Sequence, residues 1–138
     1  MKPAHSTPSS SPIPLWLRFS AIGAGILILL WLPIEDTSEK PAISIALVIS
    51  VLLALRALCG RQYQQGIIRM TLIGGLAGTA ITPIALLLIA FKTGLHSHGI
   101  PEFPVEQVIA LLRRTPFFSI GGLFVGLGSG AWISTRKS

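Results

Sequence analysis

Charge is scarce in this chain. Asp, Glu, Lys and Arg together make up 12% of its 138 residues, about half the roughly 25% of an ordinary soluble domain. There are five acids, three histidines, one tyrosine, one cysteine and no asparagine. A single cysteine, Cys59, excludes an intramolecular disulfide and any multi-cysteine metal or iron–sulfur site. No P-loop, dinucleotide fingerprint, nucleophile elbow or pair of catalytic carboxylates is present. The net charge of +6 does not point to nucleic acid, because the basic residues stand at the ends of apolar segments, where they mark membrane topology. No nucleic-acid partner is expected.

Long charge-free apolar blocks are abundant: Phe19–Ile34, Pro41–Leu55, Met70–Phe91 and Thr115–Thr135. The last two exceed the roughly 20 residues needed to cross a hydrocarbon core of about 30 Å as helix. The expectation is an all-α, polytopic integral membrane protein with four transmembrane helices and the lipid bilayer as its first partner. The opening MKPAHSTPSSSPIP, about residues 1–14, is rich in Ser and Pro and reads as a disordered tail. It makes a poor signal peptide, with Lys2 far from the apolar run and no small-x-small cleavage site.

The spans are placed at about 15–33, 41–59, 70–91 and 117–134, with a basic tail over 135–138. Trp16 and Trp31 are expected to form an aromatic belt at each end of span 1, with Arg18 snorkelling from its first turn. Pro41 suits the first turn of span 2, and Arg56 sits near its far end. Lys92 and Gly94 are expected to end span 3. Over about 104–114, Val105, Val108, Ile109 and Leu112 recur at helical spacing. Eleven residues cannot cross a bilayer, so this segment is expected to form a separate interfacial helix, apolar face down, stopped by Thr115-Pro116. Arg113 and Arg114 at its end would contact lipid phosphates or an acidic partner.

Gly122, Gly126 and Gly130 are spaced four apart on span 4, and Gly74, Gly78 and Thr82 repeat that spacing on span 3. Such faces let two backbones approach closely, and pairing them is the expected packing. Thr82-Pro83 interrupts span 3 and is read as a packed kink, with Thr79 or Thr82 hydroxyls satisfying the backbone. The alternative, a broken helix around a transported substrate, lacks a second broken helix to accompany it. No Asp, Glu, Lys or His lies in the middle of any span, which argues against a proton pathway and against a haem held between spans. His96 and His98 in GLHSHGIP, with Glu102 nearby, are the weak metal candidates. Two close nitrogens fall short of the four ligands of a zinc site, so the segment is read as a polar turn, and no metal or cofactor is expected.

The stretch from Leu72 to Trp132, with KTGLHSHGIPEF and LLRRTPFFSIGGLFVGLGSG, resembles small uncharacterised four-span proteins of cyanobacteria and plastids. The resemblance implies a thylakoid or plasma membrane and an accessory role in a photosynthetic or respiratory complex. Small size, the absence of mid-span chemistry and the small-residue faces support the same expectation: a non-catalytic accessory subunit or assembly factor bound to other membrane subunits. A homo-oligomeric transporter or channel is the alternative.

Four spans put both termini on one side. With the termini inside, that side holds Lys2, Arg18, Arg56, Arg61, Arg69, Arg136 and Lys137, against Lys40, Lys92, Arg113 and Arg114 outside. The excess of cations favours termini in the cytoplasm or stroma. A reporter fused after Ser138 should be active only on that side, and one inserted between Glu35 and Lys40 only on the other. External activity at Ser138 would reverse the orientation.

Overall fold

A computed structural model describes residues 14–34, 38–59, 66–95 and 104–136. Four helices account for nearly all of them: α1 (Leu15–Trp31), α2 (Glu39–Cys59), α3 (Ile67–Leu95) and α4 (Val105–Thr135). Among the described residues there is no strand. Three helices, α2, α3 and α4, are long and apolar enough to cross a membrane. The apolar α1 is shorter, at 17 residues, or about 25 Å of helix. Most of the N-terminal tail lies outside the described residues.

Helices adjacent in sequence are adjacent in space, and α3 with α4 forms the most extensive interface. The core lies where α2 and α3 meet, built from Ala42, Ile45 and Ala46 of α2 and Ile81, Ala85 and Ile89 of α3, with Trp31 and Leu111 closing it from α1 and α4. Ala42, Ala46 and Ala85 are fully buried. Their small side chains bring the helix axes close and leave room for the large residues beside them.

The α3–α4 contact is backbone against backbone. A Cβ on Gly74 would lie 2.9 Å from the Gly126 Cα, one on Gly126 would lie 2.9 Å from the Thr71 Cα, and one on Gly78 would lie 2.9 Å from the Phe118 carbonyl carbon. Gly122 faces Gly74 and Gly78 in the same way, and Gly130 abuts Ile67 and Met70. Gly121 and Gly128 lie off this face, where an added Cβ meets nothing within 4 Å. In lipid no hydrophobic gain drives helices together, so close van der Waals contact of this kind has to do so.

The segment expected to be a separate interfacial helix is instead the first third of α4, which runs unbroken through Pro116 for 31 residues. Thr115-Pro116 does not stop it. Leu111, Gly126 and Gly130 are buried, with Gln107, Thr115, Phe118 and Gly122 half-buried on the same face. These positions keep three-to-four-residue spacing across the proline, so one helical phase serves both halves. Pro116 forfeits one ladder bond, a loss that membrane helices tolerate when neighbours hold the segment. The stripe expected to lie on lipid, with Val105, Ile109 and Leu112 exposed, therefore points away from the protein, while Leu111 packs inward. At about 46 Å, α4 is longer than a hydrocarbon core of about 30 Å.

Pro83 likewise sits inside a continuous α3. The Thr79 hydroxyl donates to the Gly75 carbonyl at 2.9 Å, not to the Thr79 carbonyl that Pro83 leaves without its ladder bond. Near both prolines, hydroxyls meet across the interface: Thr115 donates to Thr82 at 3.0 Å, and Thr79 and Ser119 lie 2.9 Å apart. Ser119 also reaches the Thr115 carbonyl at 2.9 Å. Each hydroxyl has one proton, so the Thr79–Ser119 bond forms only when one of these two carbonyl bonds is given up.

Gly126→Ile should lower thermal stability in detergent by on the order of 1–3 kcal/mol, the cost of overpacking a close interface. Gly121→Ala should be neutral or slightly stabilising, because alanine favours helix over glycine by up to about 1 kcal/mol and finds open space there. Equal melting temperatures for the two variants would show that the glycine face is not under packing constraint.

Candidate functional site

A cluster of polar side chains stands at the end of the bundle where α1 and α3 finish and α2 and α4 begin. Lys92 is the most unexpected of them. On α3 it follows Gly78, Thr82, Ala85 and Ile89 at alternating four- and three-residue steps, which places it on the buried face. It is fully buried, and its ammonium donates to the Ile34 carbonyl at 2.7 Å while lying 4.7 Å from the centre of the Trp31 ring. The expectation that Lys92 marks the end of span 3 at the interface gives way to this: α3 continues to Leu95, and Lys92 turns inward.

Both contacts have a physical cause. Ile34 lies three residues past the end of α1, and its carbonyl accepts a charge-assisted hydrogen bond from the ammonium, stronger than a bond between neutral groups. The indole face attracts the same cation through its quadrupole, more strongly when both are out of water. Lys92 thus ties the end of α1 to α3, two helices that share little other contact. Trp31 is 5% exposed, so it does not join Trp16 in an interfacial belt. Trp16 remains half-exposed, and Trp132 is exposed beneath Arg136, 5.0 Å from its ring centre.

Beside this tie, Glu39 in the first turn of α2 accepts from Arg114 of α4. The acid favours the positive end of the α2 dipole, and the pair joins α2 to α4. Arg114 is 49% exposed and Glu39 16%, so solvent weakens the pairing. Arg114 therefore has its partner within the chain. Arg113, one residue earlier, is exposed. Among the described residues three polar atoms in this region are buried without a hydrogen-bond partner: the Trp31 indole nitrogen, Glu39 Oε2 and Gln107 Oε1. One is a donor and two are acceptors. Ser50 Oγ, farther along α2, is a fourth.

Of the residues singled out from sequence, Gly74, Gly78, Gly122, Gly126 and Gly130 meet at one interface, and Arg114 reaches Glu39. His96, His98 and Glu102 lie outside the described residues. Among the described residues no three His, Cys, Asp or Glu side chains cluster to hold a metal. Sequence reasoning missed Lys92, Trp31 and Glu39 as partners in the bundle. The signal for Lys92 was the helical phase it shares with Ala85 and Ile89; nothing in the sequence announced the ring beneath it.

No protein-family model, curated protein or solved structure matches the chain significantly.

Lys92→Met keeps the unbranched stem of the side chain and removes the ammonium. It should cost about 1.5–3 kcal/mol, the worth of a hydrogen bond to a charged group. A double-mutant cycle of Glu39→Gln with Arg114→Gln should give a coupling of no more than about 1 kcal/mol, as for exposed ion pairs. Thermal melts in one detergent would compare them. A larger effect from the Glu39–Arg114 cycle than from Lys92→Met would make the exposed ion pair the principal tie.

Proposed function

We propose that the chain is a four-span integral membrane protein with both termini in the cytoplasm or stroma, and that it serves as a non-catalytic accessory subunit or assembly factor of a larger complex in a thylakoid or plasma membrane. On this reading α1 crosses as the fourth span. Its 17 residues lie at the short end of the range for a spanning helix, and Arg18 beside Trp16 can extend its reach at the interface.

The observation that carries the proposal is how the polar side chains are used. The ammonium of Lys92, the Glu39–Arg114 pair and the hydroxyls of Thr82 and Thr115 all connect one helix of the chain to another. A second feature supports it. The helices pack in sequence order, and almost none of the most apolar stretch of α4 is buried. Phe117, Ile120, Phe124 and Leu127 stand exposed at helical spacing along its outer side. One copy with so much apolar surface on its terminal helix suits attachment to other membrane subunits as well as to lipid. The resemblance to small four-span proteins of cyanobacteria and plastids points to the same class of role.

Two of the four cations assigned to the outer side, Lys92 and Arg114, have partners within the chain. Their placement against the positive-inside preference is thereby offset, which supports the orientation proposed.

Native electrophoresis of mildly solubilised membranes should show the protein migrating with a complex many times its own 14.7 kDa, together with other polypeptides. A compact oligomer of this chain alone would overturn the accessory role and favour the homo-oligomeric transporter.

A further inference from the structure

At the other end of α1 and α2 the chain has a different character. A groove of about 360 Å³ opens between these two helices, within the size range of small-molecule sites. Its walls are apolar, formed by Ala21, Gly25 and Ile28 of α1 and by Ile49 and Leu53 of α2, and Arg18 and Arg56 stand along it. The two helices run antiparallel, so Arg18 near the start of α1 and Arg56 near the end of α2 fall at the same level. Both are exposed.

Among the described residues no carboxylate pairs with either arginine. The described acids, Glu39 and Glu106, lie in the first turns of α2 and α4, at the opposite end of the bundle. Two guanidinium groups lining one groove repel each other, and an anion between them would relieve that repulsion.

We propose that this groove is a binding site for a single anionic phospholipid, with an acyl chain between α1 and α2 and the phosphate held by Arg18 and Arg56. The charge complementarity is specific: guanidinium forks match phosphate oxygens in pairs, and basic pockets between membrane helices on the cytoplasmic side suit anionic headgroups. The apolar wall supplies the second half of the recognition. A Cβ added at Gly25 meets nothing within 4 Å, so the groove stays open at the point where an acyl chain would lie. Bound lipid would fill the gap between α1 and α2 and neutralise the arginine pair. The inference rests on the chain being embedded in a bilayer, and on nothing else in the proposed function.

The test uses the full chain reconstituted in phosphatidylcholine vesicles with or without phosphatidylglycerol, followed by gentle solubilisation and native mass spectrometry of the retained lipid. The wild type should retain one phosphatidylglycerol per chain, preferred over phosphatidylcholine by about thirtyfold, as two cations at about 1 kcal/mol each near an anionic headgroup would give. Arg18→Gln with Arg56→Gln should abolish the preference. Gly25→Leu should lower lipid retention by filling the groove, with helix content and melting in phosphatidylcholine close to wild type. Equal retention of the two lipids by the embedded wild type, or unchanged phosphatidylglycerol retention in the double arginine variant, would overturn the site while leaving the membrane assignment standing. Release of the wild type from vesicles by alkaline carbonate would overturn both.

Discussion

Close backbone contact between α3 and α4 is the constraint from which the rest of the structure follows. Lipid tails are as apolar as leucine, so burying an apolar side chain between membrane helices gains little, and packing density has to hold them together. Glycine at Gly74, Gly78, Gly122 and Gly126 removes the side chains that would keep the helices apart. The contact also fixes register. Gly130 meets Ile67, Gly126 meets Thr71, Gly122 meets Gly74, Phe118 meets Gly78, and Thr115 meets Thr82. A slip of one residue along either helix would set a side chain against the facing backbone at several levels together. With the register set, Pro83 and Pro116 are carried inside continuous helices, and the start of α4 is brought level with the end of α3.

That register also explains the division of charge. At the end where α3 finishes and α4 starts, Lys92 turns into the bundle toward the end of α1, and Arg114 reaches Glu39 at the start of α2. Cations and acids meet there, and the ties they make join helices that otherwise touch little. Among the described residues the opposite end carries Arg18 and Arg56 on α1 and α2, with no acid beside them. The same few charged residues thereby hold α1 in place at one end and leave the other positively charged.

The all-helical fold and the glycine contacts were legible in the sequence because each rests on a local, periodic signal: apolar length for the helices, four-residue spacing for the small faces. The division of residues 104–134 into two helices was not correctly legible. Thr115-Pro116 looks like a helix stop when read locally, and only the buried phase running from Leu111 through Thr115 and Phe118 to Gly122 reveals one continuous element. Val105, Ile109 and Leu112 form a genuine apolar stripe, but in a membrane protein the apolar side of a helix can face lipid while small or polar residues face the protein. Trp31 and Lys92 were misread for a related reason. Each has the composition of an interface marker, and each is engaged by a residue about sixty positions away, which no local pattern encodes.

The placement of α1 draws these elements together. It packs chiefly on α2, and only Leu17, Ala24 and Trp31 are buried along its length. Those three positions recur at seven-residue intervals, a narrow seam for a helix of five turns, so α1 gains little packing to hold it in one orientation. One end is fixed electrostatically, by the Lys92 ammonium on the Ile34 carbonyl and the Trp31 ring. Toward the other end the two helices part around Gly25 and Ile49, with Arg18 and Arg56 at the opening. Leu17 is buried at the level of that opening, so α1 stays seated on α2 there as well. The Lys92 contacts add a tie of another kind: they reach from α3 to the far end of α1, which a seam of Leu, Ala and Trp packed on α2 does not do.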